Sequence, residues 1–327
     1  MRPLVLPRPS SPAAQALLVT FLWSTSWVLI KVGLADDLPP LTFAGLRYTL
    51  AAAVLGVALV ASSRRRRQLA ATSGPTRRRL AALGIVMYAL TQGAQFVGLS
   101  LLPAATLSLL LSFTPALVTL VAGATTREPA TPRQWTGMGL AVVGATLYLA
   151  PGVGVTSLVG LAVGAVALAS NATASLLGRV VNRDADLDPL VVTAPSMALG
   201  GVATLATGVV LDGVPNLTAT TWAIVLWLAV VNTAFAFTLW NHTLRSLTAT
   251  ESAAINNTML VQIALLAWVV LGETLTPIQW LALAIVSVGT GLVRRHAGAT
   301  VGRRVPGVVA SSRHATQRLV HGRRPRR

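Results

Sequence analysis

Trp23, Trp27 and Lys31 recur every four residues, and Ser24 stands next to the first of them. That spacing puts aromatic surface, a hydroxyl and a cation on one helical face. Tyr88, Gln92 and Gln95 form a second polar stripe at helical spacing. Further hydrogen-bonding groups sit inside otherwise apolar runs: Ser112, Ser170, Asn171, Asn232, Asn256, Asn257 and Gln262, with Trp240 beside Asn241. Arg47 places a full charge among apolar neighbours. This equipment suits stacking, hydrogen bonding and ion pairing. The chain has no cysteine, no HExxH zinc signature and no GxxxxGK[ST] phosphate loop, and no pair of carboxylates lies within an apolar run. No catalytic residue, metal site or cofactor is expected.

The elements that carry these residues are apolar helices. Of 327 residues, 54% are hydrophobic and 11% charged, whereas soluble domains carry about 25% charged residues. Hydropathy predicts spans near 13–33, 41–61, 80–100, 103–123, 134–151, 157–177, 189–211, 220–240, 251–271 and 277–293. Each is about long enough to cross a hydrocarbon layer of ~30 Å as a helix. The expected fold is therefore an all-α integral membrane protein of ten transmembrane helices in a lipid bilayer.

Charge orients it. Arg64 to Arg67, Arg77 to Arg79, Arg127, Arg133, Arg179, Arg183 and Arg245 fall on one side of this alternation, together with Arg2, Arg8 and the basic residues after span ten. The opposite loops carry Asp36, Asp37, Asp212 and Glu273. The positive-inside rule then predicts a multi-pass plasma-membrane protein with both termini cytoplasmic. The net charge of +17 is topological, so no nucleic-acid partner is expected. Residues 1–12 form a cytoplasmic segment, and 294–327 read as a disordered basic tail lying against anionic headgroups.

The chain also repeats itself. Glu128, Thr131, Pro132, Gln134 and Trp135 are matched by Glu273, Thr276, Pro277, Gln279 and Trp280 at a constant offset of 145 residues. Leu102 with Leu247, Ala104 with Ala249 and Gly144 with Gly289 keep that register. Residues 13–151 and 157–293 are then two five-helix units, and an odd number of spans per unit inverts the second relative to the first. Thr131 and Thr276 are expected to cap the fifth and tenth helices, with Pro132 and Pro277 in their first turns.

Four stretches carry a resemblance: Phe21-Leu22-Trp23-Ser24-Thr25-Ser26-Trp27 with Lys31, Leu41-Thr42-Phe43-Ala44-Gly45-Leu46-Arg47-Tyr48, Trp240-Asn241 with Leu244-Arg245, and Leu271-Gly272-Glu273-Thr274-Leu275-Thr276-Pro277. In this order, within a duplicated ten-helix chain, they resemble the EamA type of the drug/metabolite transporter superfamily, from residue 13 to 293. The resemblance implies a cavity lined mainly by spans one, three, four, six, eight and nine, and export or exchange of small metabolites or drugs. Span nine has Met259-Leu260 where the family often carries Glu-Pro, and Arg127-Glu128 stands where it carries Gly-Glu.

Each polar residue has two readings, because a bilayer forces polar side chains to face either protein or water. Trp23, Ser24, Trp27, Lys31, Arg47, Tyr88, Gln92, Gln95, Ser112, Asn171, Asn232, Trp240, Asn256 and Asn257 are candidates to bind a small-molecule substrate; the alternative is helix-to-helix hydrogen bonding. Arg47 lies roughly 9 Å inside span two at 1.5 Å per residue. It needs a partner, either Asp36 or Asp37, or with Lys31 an anionic group of a ligand. Glu128, Glu251, His242 and Glu273 are the coupling or gating candidates, with helix-start stabilisation as the alternative for the glutamates. The expected function is secondary transport; a non-transporting receptor or assembly factor and an intramembrane lipid-modifying enzyme are the rivals. Pairing of two copies into a homodimer is compatible with the sequence.

Overall fold

The computed structural model of the chain describes residues 11–102, 104–114, 117, 118, 121, 131–149, 157–184, 187–271 and 276–294. Its helices are α1 (Pro12–Ala35), α2 (Pro40–Val60), α3 (Ser63–Ala70), α4 (Gly74–Leu101), α5 (Ala104–Ser112), α6 (Pro132–Leu149), α7 (Leu158–Asp184), α8 (Pro189–Asp212), α9 (Ala219–Thr243), α10 (Ala249–Asn257), α11 (Met259–Leu271) and α12 (Pro277–Arg294). Among the described residues, α1, α2, α4, α8, α9 and residues Leu158–Asn182 of α7 are long and apolar enough to cross a membrane. Helices also cover parts of the other four expected spans. The segment 63–70, between the second and third expected spans, is a short Arg-rich helix capped by Ser62.

Local chemistry sets the ends. Ser11, Ser73, Asp188 and Thr218 each accept a backbone N–H at the start of the following helix, which answers the orphan donors of a first turn. Pro12, Pro40, Pro189 and Pro277 occupy first helical positions, where a missing N–H costs little. The repeated Thr-Pro-x-Gln is a capping box. Thr131 N–H donates to Gln134 Oε1 at 2.8 Å while Gln134 N–H donates to Thr131 Oγ1 at 3.3 Å; Thr276 and Gln279 repeat this at 2.7 and 3.3 Å. The glutamine of the motif thus closes the cap that the threonine opens.

α2 and α8 are packed backbone against backbone. A Cβ on Gly45 would lie 2.3 Å from Leu205 Cα, one on Gly201 2.9 Å from Thr49 N, and one on Gly208 2.4 Å from Thr42 N. Residue numbers rise along α2 as they fall along α8, so the two run antiparallel. α6 and α12 pair in the same way: Gly144 meets Ala282 and Val286, and Gly289 meets Gly137 and Ala141. Ala282 and Val286 are the 145-residue counterparts of Gly137 and Ala141, so each helix treats the other as its own image. Small residues at such crossings allow the close approach that drives association in lipid. The outward faces carry Val57, Val166, Val210, Phe235 and Val269, all more than half exposed, as expected of surfaces that meet acyl chains.

α4 and α9 are not uniform. Each widens into a π-helical stretch, Ile85–Thr91 and Val230–Phe235, and the two stretches begin at the same 145-residue offset. Thr91 Oγ1 donates to the Val86 carbonyl at 2.7 Å, and Thr233 Oγ1 to the Leu228 carbonyl at 2.6 Å, both five residues back. π-helical turns are rare and concentrate at functional sites. Span nine is also broken, between α10 and α11 at Thr258, without a proline: Thr258 donates both N–H and Oγ1 to the Ile255 carbonyl.

Candidate functional site

The bundle encloses a central cavity walled by α1, α2, α4, α5, α7, α9, α10 and α11. These are the spans that the resemblance implies, with α2 added. Its volume is about 100 Å³.

One wall is aromatic. Trp23 packs on Phe237 with ring centroids 4.7 Å apart and on Trp240 at 5.2 Å; Tyr88 lies 5.2 Å from Phe237 and 5.6 Å from Tyr48. Trp23, Trp27, Tyr88 and Trp240 were all legible as candidates, and all four line the cavity. Phe237, Tyr48 and Ser26 line it too; none was a site candidate, although Tyr48 and Ser26 fall in the stretches that carry the resemblance. The available signals were weak: Phe237 stands three residues before Trp240, Tyr48 follows Arg47, and Ser26 precedes Trp27.

The second feature is Arg47, only 2% exposed. Its Nε donates to Thr233 Oγ1 at 2.6 Å, and its Nη2 to Ser26 Oγ at 3.3 Å and to the Asn232 carbonyl at 3.4 Å. Its carbon centre lies 5.2 Å from the centroid of the Tyr48 ring, in reach of a cation–π contact. The π-helical stretch of α9 makes this cradle, because Thr233 turns its hydroxyl proton back along its own helix and offers a lone pair to the guanidinium. The expectation that Asp36 or Asp37 pairs with Arg47 is not met. Asp36 Oδ2 accepts from Thr221 Oγ1 at 2.8 Å, at the end of α1, while Arg47 lies about two turns down α2.

The amide stripe of α4 adjoins the aromatic wall. Tyr48 Oη donates to Gln92 Oε1 at 2.6 Å, which leaves the Gln92 amino group for the cavity; Gln95 lines it alongside. Ser112, Asn171 and Asn256 are also brought there, and Asn171 Nδ2 donates to Thr114 Oγ1 at 3.2 Å.

Other candidates serve packing. Ser24 donates to Gln262 Oε1 at 2.9 Å, and Gln262 Nε2 donates to Thr20 Oγ1 at 3.2 Å and Thr258 Oγ1 at 3.3 Å. This polar clasp ties α1 to the break in span nine and does not line the cavity. Asn232 Nδ2 donates to Thr25 Oγ1 at 2.9 Å and to the Leu22 carbonyl, joining α9 to α1. Lys31 lies outside the cavity lining and donates to the Leu99 carbonyl at 3.1 Å. Ser170 bonds its own helix. The Asn257 side chain, Glu128 and Glu273 fall outside what is described. Glu251 is buried in a capping box, its Oε2 accepting from Thr248 N–H at 2.9 Å, and His242 is exposed.

Among curated proteins, none matches the chain significantly. It is similar to a solved structure described only as a crystal structure of a protein, at 19% identity and a TM-score of 0.70, covering 90% of this chain and 99% of that one. At such identity the likeness concerns the fold alone. The sequence profile of the EamA-like transporter family matches residues 11–150 and again 158–295. With that double match over a bundle of apolar helices, the chain belongs to the EamA-like transporter family, a multi-pass membrane family of transporters and not of enzymes.

Proposed function

We propose that the protein is a secondary transporter that exports or exchanges small organic solutes across the plasma membrane by alternating access. In this reading ten spans form two inverted five-helix halves, and both termini face the cytoplasm. The observation that carries it is the reciprocal packing of α6 and α12, in which Gly144 meets the counterparts of the residues that Gly289 meets. It runs antiparallel, as a two-fold axis in the membrane plane requires. Two halves related in this way can exchange conformations around a midplane cavity, opening it first to one side and then to the other. The matched π-helical stretches of α4 and α9 give both halves the same departure from regular helix, a feature that concentrates at functional sites. With no phosphate-cradling loop in the sequence, a solute or ion gradient supplies the energy.

Counterflow in liposomes is the test. Purified protein should accumulate a labelled solute against unlabelled solute trapped inside, saturably and without ATP. Binding without movement across a broad solute panel would replace transport by a receptor role, and chemical conversion of the solute would replace it by catalysis.

A further inference from the structure

Arg47 is a buried cation that no carboxylate neutralises among the described residues. The ion pair found among the described residues joins Arg65 and Asp188, elsewhere in the molecule, and no Asp or Glu lines the cavity there. A guanidinium has five N–H donors. Three are occupied by Thr233, Ser26 and the Asn232 carbonyl, and these partners are neutral. The two N–H groups of Nη1 take no part in those bonds, and Arg47 lines the cavity. A charge held in a membrane interior by neutral groups alone is costly and marks a functional pathway.

Two further side chains at the wall leave an N–H over. Trp23 Nε1–H is buried without an acceptor, in a side chain only 9% exposed. The Gln92 carboxamide has its oxygen taken by Tyr48, so its amino group is what remains to offer. Asn256 Oδ1 is a buried acceptor without a donor, which suits a neutral hydroxyl. The site therefore offers a fixed positive charge and spare N–H groups to an anion, aromatic faces to an apolar body, and no carboxylate to an ammonium.

We propose that the substrate is a small amphipathic organic monoanion, with its carboxylate on Arg47 Nη1 and its aromatic or apolar body against Trp23 and Phe237. The proposal deepens the transport reading and rests on it for movement, whereas binding is read separately. A zwitterionic amino acid is disfavoured because its ammonium would enter a wall lacking a counter-charge. A lipophilic cation is disfavoured because it would meet Arg47 directly.

The test uses the full chain in liposomes, at a pH well above the carboxylate range, with phenyllactate, phenylalanine, phenethylammonium and phenyllactate methyl ester as probes. Quenching of tryptophan fluorescence in detergent provides the binding arm. Phenyllactate should bind and exchange with a preference of roughly 10- to 100-fold over the other three, the scale of a charge-assisted hydrogen bond. Arg47→Met should remove that preference and Arg47→Lys should restore part of it. Gln92→Glu, which leaves Arg47 in place, should weaken phenyllactate and favour phenethylammonium, so the idea stays testable if Arg47 variants misfold. Equal or better handling of phenylalanine or phenethylammonium by the wild type would overturn the anion assignment and leave transport standing. Arg47-dependent binding of phenyllactate without movement of any probe would uphold the assignment and remove transport. Failure of phenyllactate to bind at all would end the proposal.

Discussion

Lys31 and Arg179 make the same bond at opposite ends of the bundle. Lys31 Nζ donates to the Leu99 carbonyl at the end of α4, and Arg179 Nη1 donates to the Leu244 carbonyl just after α9. Leu244 lies 145 residues beyond Leu99, so the two acceptors are counterparts in the repeat. α1 ends where α2 begins, and α7 ends where α8 begins. Since α2 and α8 run antiparallel, the two basic side chains clasp opposite ends.

If the halves rock, releasing one clasp should bias the protein towards the state open at that end. Lys31→Met and Arg179→Met should shift the thiol reactivity of a Gln95→Cys reporter in opposite directions, by roughly 10-fold for the loss of one charge-assisted bond. Impermeant reagents applied from each side would measure it, and shifts of the same sign in both variants would refute the pairing.

The absence of native cysteine makes topology directly measurable. Single cysteines at Glu128 and Glu273 should be labelled from opposite faces of the membrane, Glu128→Cys from the cytoplasm. Labelling of both from one face would remove the inverted arrangement and the alternating-access reading with it.

Gly45 should tolerate no side chain. Its added Cβ would meet the Leu205 backbone at 2.3 Å, and backbone cannot rotate away as a flexible side chain can. Gly45→Val should cost about 1–3 kcal/mol or more, seen as a lower melting temperature in fluorescence-detected size exclusion. Gly56, with nothing within 4 Å of its added Cβ, is the control: Gly56→Ala should leave stability equal or improved by up to ~1 kcal/mol from helix propensity.

Tyr48→Phe keeps the ring contacts to Tyr88 and Phe237 but removes the donor that holds the Gln92 carboxamide. The amide is then free to turn. The KM for a transported solute should rise roughly 2- to 10-fold, in proportion to one neutral hydrogen bond, with little change in melting temperature. An unchanged KM would show that Gln92 orientation does not matter to binding.

What the sequence determined by itself follows from short-range rules. Apolar runs define the helices, Thr131-Pro132 and Thr276-Pro277 mark two helix starts, and the 145-residue register exposes the duplication. The four-residue spacing of Trp23 and Trp27 also sufficed to put both on one face. Tertiary structure decided which polar groups meet the cavity and which meet each other. Ser24 is sequence neighbour to Trp23 yet bonds Gln262, and Asn232 bonds α1, because in a membrane any polar stripe must be buried and periodicity alone cannot say against what. The same holds for Arg47. Its depth in α2 was readable, but two of its three partners come from a π-helical turn in α9 more than 180 residues later and the third is Ser26 of α1, and only the packing of the three helices could supply them.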